Sequence, residues 1–218
     1  MPEQVDQKST RCAALSVRKG CKSYGGAPIF YDLTFSVERG EATALVGRNG
    51  AGKSTLLRCV VGAESLDSGQ VEIGGIPLDE SSATVRSAMA TLLDDVDYFP
   101  DISVVEHLRL LAWLHRAANP DETVDDVTAQ LGLTAVCDQL PPTLSSGQRH
   151  RLGLAACFVR PRELLVLDEP EQRLDADGRR WLGERLTAEK SQGGAVLFAS
   201  HDADLVRAVA DHIIEIDS

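Results

Sequence analysis

The sequence predicts an α/β fold built on a parallel sheet, with an N-terminal antiparallel β layer and an inserted helical subdomain. Three observations carry this reading. Apolar runs without polar alternation stand at ATALV (42–46), LLVL (164–167) and AVLFA (195–199), as expected of strands covered on both faces. Each run is followed by polar residues and a helical pattern, the order of a parallel sheet. Ahead of them, ALSV, the run around Tyr24 and IFYDLTFSV read as short strands separated by Gly-rich turns, an antiparallel edge layer.

Residues 1–10 read as a frayed tail and 11–218 as one domain, since 218 residues bury a sizeable core without needing two. Between the first and second apolar runs, Ser103 to Ala117 sets Val104, Leu108, Leu111 and Ala112 on one helical face, and Asp121 to Leu131 is helical again. This block, about 94–160, is the inserted helical subdomain. Pro141-Pro142 interrupts it, and a further helix from about Gly147 carries Leu152, Ala155, Ala156 and Val159 at one-face spacing.

Composition narrows the function. With 43% hydrophobic and 25% charged residues the chain is an ordinary globular protein. A net charge of -11 argues against broad electrostatic binding of nucleic acid or anionic lipid, so no nucleic-acid partner is expected. Five scattered cysteines without Cys-x-x-Cys spacing, and an N-terminus without an apolar stretch, point to reduced thiols in a cytoplasmic chain. No run approaches the 18 apolar residues of a membrane span, so no direct membrane insertion is expected.

The chemistry begins with Gly47, Arg48, Asn49, Gly50, Ala51, Gly52, Lys53 and Ser54, a G-x-x-x-x-G-K-[ST] loop placed after the strand ATALV and before the helical run STLLRCVV. Glycines let backbone N–H groups curl around phosphates at a helix N-terminus, Lys53 neutralises the terminal phosphates, and the Ser54 hydroxyl can ligate Mg²⁺. The core is therefore read as that of a P-loop nucleoside triphosphatase. LLVL ends in Asp168-Glu169 at the carboxyl end of a buried strand, where open α/β sheets place ligands. Adjacent strand residues point to opposite sides, so the two acids take separate tasks: Asp168 in the metal shell, Glu169 activating the attacking water. Ser200-His201 follows AVLFA in the same way and offers an imidazole to the γ-phosphate. On physics alone Leu144 to Gln148, LSSGQ, is a capped helix start with free amides.

These motifs, in this order, resemble the nucleotide-binding subunit of an ABC (ATP-binding cassette) transporter over residues 11–218: the Walker A GRNGAGKST (47–55), the signature LSSGQ (144–148), the Walker B LLVLDEP (164–170) and the switch histidine His201. The resemblance implies ATP as the nucleotide, with Thr55 joining the loop that holds it, and catalysis by Lys53, Glu169 and His201. It places Tyr24 as an aromatic that stacks on adenine. It implies a head-to-tail pair of cassettes, as a homodimer or with a paralogue, in which Ser145, Ser146, Gly147 and Gln148 complete the partner's site and Leu174-Asp175 crosses the interface. It further implies transmembrane permease subunits, which hold the chain on the cytoplasmic face of the membrane.

The chain also departs from the family. Where a glutamine should precede the helix of ISVVEHL, the sequence has Asp94 or Asp95; Asp94 can still ligate Mg²⁺, but its charge adds to that of Glu169 and the phosphates. The expectation is slower or differently coupled hydrolysis, and the alternative function is a regulatory cassette that binds ATP and hydrolyses it weakly. Glu171-Gln172-Arg173 replaces small or polar residues before Leu174, and Ser146 replaces a glycine. The stop at Ser218, just after IIEI, leans towards a small exporter without a C-terminal regulatory domain. Nothing in the sequence encodes the substrate.

Overall fold

The structure, a computed structural model, describes residues 13–79, 81–93 and 97–216; the tail 1–10 and both Asp94 and Asp95 lie outside the described residues. β1 (Ala13–Tyr24) and β2 (Ala27–Glu38) form an antiparallel hairpin. Gly25 and Gly26 join them at φ 57° and 83°, the left-handed pair that a two-residue hairpin turn requires. ALSV and the run around Tyr24, expected as separate strands, are one strand. The register shifts past Val17, Lys19 takes φ 49°, and the strand resumes beyond this bulge.

β3 (Ala42–Val46) and α1 (Lys53–Val61) follow, and the chain then returns to the first layer as β4 (Ser68–Ile73) and β5 (Ile76–Pro77). That sheet has the order β2-β1-β4-β5. The return escapes sequence reading because only Val71 and Ile73 of β4 are buried, too few for a recognisable alternation. After α2 (Ala83–Ala88), β6 (Met89–Leu92) opens the remainder of the parallel sheet. Next come α3 (Val104–Leu114), α4 (Pro120–Gln130) and α5 (Ser146–Phe158), which form the helical block. β7 (Leu164–Asp168), α6 (Ala176–Ser191), β8 (Ala195–Ala199), α7 (Ala203–Val209) and β9 (His212–Glu215) complete the chain. The parallel sheet runs β6-β7-β8-β3-β9.

This sheet is the middle layer, which explains why its strands are apolar throughout. Leu164 and Val166 of β7, with Leu197 of β8 and Leu45 of β3, pack against α1 and the antiparallel layer. Leu165 and Leu167, with Phe198 and Ala44, pack against α3 to α7. The same alternation carries Asp168, the last residue of β7, to the α1 face. The helices start where their caps dictate: Ser103 and Glu106 form a reciprocal capping box on α3, as Ser145 and Gln148 do on α5.

Two buried histidines make stability depend on pH. His107 of α3 is 2% exposed, sits edge-on to Phe99 with ring centroids 5.7 Å apart, and has no hydrogen-bond partner on either ring nitrogen. His150 of α5 meets the Pro170 carbonyl oxygen at 2.9 Å through Nε2. Burial pushes both below the ordinary value of 6.5. The folded chain therefore resists protons that the unfolded chain takes up, so the stabilisation is complete above 6.5 and is lost as pH falls towards the lowered folded values. Urea denaturation is expected to show stability declining between about pH 7 and pH 5, with a shallower decline in His107→Phe. Identical slopes in the two proteins would exclude His107 as a source.

Candidate functional site

The parallel topology brings the chain to the same edge of the sheet three times, at the ends of β3, β7 and β8. The loop after β3 is gripped from two sides. A Cβ on Gly47 (φ 148°) would stand 2.3 Å from the Ile216 carbonyl oxygen, and one on Gly52 (φ 102°) would stand 2.2 Å from Ile29 Cγ2. Only glycine fits these positions, which hold Arg48 to Ala51 as a tight turn, closed by the Ala51 N–H donating to the Arg48 carbonyl at 3.1 Å. Lys53 is 5% exposed and turns back over the loop, donating to the carbonyls of Gly47 (3.0 Å) and Arg48 (3.1 Å).

The start of α1 differs from every other described α-helix. Its N-cap is Gly52, with no side-chain cap, no acidic residue in the first turn and no proline. The others carry a Ser or Asp cap, or in α4 a proline followed by Asp121 and Glu122. The first helical bond runs from the Leu56 N–H to the Gly52 carbonyl, so the amides before Leu56 have no helical acceptor. Uncapped amides, a buried ammonium and no acid in the first turn of the helix are the donor set for a polyphosphate.

The other two loops supply a carboxylate and an imidazole. Glu169 leaves β7 at φ 45°, anchored by its N–H to the Ala199 carbonyl at 2.9 Å, and the left-handed turn breaks the strand alternation just after Asp168. Its Oε1 lies 3.3 Å from His201 Nε2, and its Oε2 accepts from the Gln172 amide. The same His201 Nε2 lies 3.1 Å from Lys53 Nζ. One ring nitrogen thus stands between an ammonium and a carboxylate, and serves one at a time: unprotonated towards Lys53, protonated towards Glu169. Lys53, His201 and Glu169, 148 residues apart between the first two, form a continuous chain.

Tyr24 closes the opposite flank. It is 47% exposed, with its hydroxyl donating to Glu64, so the end of β1 is tied to the segment that follows α1. Lys22 Nζ lies 5.3 Å from the ring centroid and 3.0 Å from Glu64. The Tyr24 and Lys22 hydrogen bonds hold the Glu64 carboxyl below its usual range, and those to Glu64 raise both donors. Nothing in the sequence pairs Tyr24 with Glu64, 40 residues away; the signal exists only in the packed structure.

The LSSGQ turn stands apart from this chain of contacts. Ser145 accepts from the Gln148 N–H at 3.3 Å and the Gln148 side chain accepts from the Ser145 N–H at 2.8 Å, so both serve as caps. Leu144 belongs to the core with α3 to α7, whereas Ala51 of the glycine loop belongs to the core on the other face. Ser146 and Gly147 instead face Arg173: the Ser146 carbonyl accepts from Arg173 Nη1 at 3.5 Å, and the Arg173 carbonyl is 3.6 Å from where a Gly147 Cβ would be. Asp175 caps α6 through the Gly178 N–H and pairs with Arg151 at 3.2 Å.

The residues expected to hold Mg²⁺ fit that ion in part. Mg²⁺ keeps most of its shell for phosphate and water and takes one or two protein oxygens. Ser54 opens the uncapped α1 and Asp168 lies on the α1 face, a hydroxyl and a carboxylate of the right chemistry. Among the described residues no cluster of three or more His, Cys, Asp or Glu that could hold a metal occurs. Asp94 lies outside the described residues.

Residues 30–172 match the profile of the ABC transporter family. The SkfA peptide export ATP-binding protein SkfE of Bacillus subtilis is 32% identical over 92% of this chain and 84% of its own length. The uncharacterized ABC transporter ATP-binding protein YdbJ of the same organism is 33% identical over 88% of this chain, which spans 63% of that longer relative. A solved structure described as the ATP-binding subunit of an ABC transporter superposes with a TM-score of 0.86 at 26% identity, covering 94% of this chain and 86% of the other.

Proposed function

The chain belongs to the ABC transporter family, and from that premise we propose that it binds and hydrolyses ATP to drive translocation through separate membrane subunits. The observation that supports this best is the contact chain Lys53–His201–Glu169 beside the uncapped start of α1. The free amides of the glycine loop and of the start of α1, with the Lys53 ammonium, bind the phosphates; to do so, Lys53 exchanges the Gly47 and Arg48 carbonyls for phosphate oxygens. Glu169 takes the proton of the attacking water, and His201 donates towards the γ-phosphate, an arrangement in which preplaced charges stabilise the transition state. Ser54 and Asp168 would hold Mg²⁺, which when bound would neutralise phosphate charge. Tyr24 offers its ring face to the adenine.

Ser145, Ser146, Gly147 and Gln148 complete the ATP site of a second cassette. Their attachment to the helical core, away from the loop of Gly47 to Thr55, supports a role in trans. No helix among the described residues is long and apolar enough to cross a membrane; in this reading permease subunits hold the chain on the cytoplasmic face.

The test is an ATP titration of the purified chain with Mg²⁺ present. Saturable binding is expected, weakened in Tyr24→Ala by about 5- to 150-fold, the worth of about 1–3 kcal/mol of base stacking. A folded chain that shows no saturable ATP binding would overturn the proposal, and unchanged affinity in Tyr24→Ala would remove Tyr24 from the site.

A further inference from the structure

The loop after β7 and the loop after β8 are joined by one buried carboxylate that the contact chain of the site does not include. Glu171 is 9% exposed. Its Oε1 accepts from the Ser200 hydroxyl at 2.6 Å and from the His201 backbone N–H at 3.2 Å, while the Ser200 oxygen accepts from the Asp202 N–H at 3.0 Å. A single oxygen thus holds Ser200 and His201 directly, and Asp202 through the Ser200 hydroxyl. The Glu171 backbone is itself held in a tight turn, its carbonyl accepting from the Leu174 N–H at 3.2 Å and the Gln172 N–H reaching back to the Glu169 carbonyl at 3.0 Å. With the Glu169 N–H bound to the Ala199 carbonyl at 2.9 Å, this carboxylate is a second tie between the two loops, and the one that holds the His201 backbone.

We propose that Glu171 is a positioning residue for ATP hydrolysis: it sets the distance between the His201 imidazole and Glu169 by tethering the His201 backbone to the turn that carries Glu169. This rests on the proposed roles of those two residues. A carboxylate suits the job chemically, since a single carboxylate oxygen has the lone pairs to accept two donors at once. Removing it leaves the buried Ser200 hydroxyl and the His201 N–H without their acceptor, and the β8 loop free to shift. A displacement of about 1 Å at a reacting group can cost on the order of a hundredfold in rate.

Steady-state ATPase kinetics of the full chain, in a double-mutant cycle of Glu171→Ala with His201→Ala, tests the idea. Glu171→Ala is expected to lower kcat by about 10- to 100-fold with KM nearly unchanged. It should lower kcat little further in the His201→Ala background, because the tether has nothing left to position. Glu171→Gln keeps an acceptor oxygen and is expected to recover most of the loss. An equal loss in both backgrounds, or no loss in either, overturns the proposal, while a wild-type chain that binds ATP without turning it over would instead overturn the hydrolytic reading beneath it, and turnover unchanged in Glu169→Gln would overturn the role given to Glu169. NMR of the histidine ring protons, with His201 assigned by its own substitution, gives a readout free of turnover. The His201 signal should shift or broaden in Glu171→Ala and stay in place in Glu171→Gln; a His201 signal unmoved by Glu171→Ala would sink the tether.

Discussion

Glu169→Gln is expected to lower ATP turnover by about 10²- to 10⁴-fold, the range that a general base contributes. The substitution keeps the volume of the side chain, so the left-handed turn after Asp168 and the anchoring bond to Ala199 remain. What disappears is the ability to accept a proton. ATP affinity should hold, because in the proposed site the phosphates rest on the amides before Leu56 and on Lys53, neither of which the substitution replaces. With ATP bound and not consumed, the pair of cassettes should accumulate in its closed form, visible as a dimer by size-exclusion chromatography or light scattering. Turnover unchanged within a factor of two would rule out Glu169 as the base. A loss of both binding and turnover would mean instead that the site had collapsed.

Arg162→Met is expected to destabilise the chain by about 3–5 kcal/mol, the cost of leaving a buried charge without its partner. Arg162 and Glu189 pair with only 6% and 10% of their side chains exposed. The guanidinium also donates to the carbonyls of Cys157 and Arg160 at 2.8 Å each and lies 5.0 Å from the Phe158 ring centroid. Glu189 in turn packs against Gly194, where a Cβ would meet its Oε1 at 2.8 Å. The pair therefore ties the end of α5 and the body of α6 to the turn that launches β8. At about 2–4 °C per kcal/mol for a chain of this size, the melting temperature should fall by on the order of 10 °C. The double substitution Arg162→Met with Glu189→Met should recover a large part of this, since an apolar pair of similar volume removes the stranded carboxylate. A single mutant within about 1 kcal/mol of the wild type would show that water reaches the pair.

The sequence by itself determined the parallel sheet, the glycine loop and the order of the site. Its signals are local: apolar runs covered on both faces at β3, β7 and β8, a strand–loop–helix of fixed spacing, and acidic and imidazole groups placed just past strand ends. It missed β4 and β6, whose short segments carry too little periodicity, and it split β1 in two because a bulge hides strand continuity from a reading of adjacent residues. The Glu171-Gln172-Arg173 segment was visible as a departure, but its consequences were not. That Glu171 holds Ser200 and His201, that Gln172 reaches Glu169 and that Arg173 reaches Ser146 are facts of distance. So are the clasp of Tyr24 by Glu64 and the meeting of Lys53 with His201. Only the tertiary structure decided these: apart from the local Gln172–Glu169 bond, they join residues 27 to 148 positions apart, which depends on which strands lie side by side, and strand order is set by packing two apolar faces rather than by any stretch of chain alone.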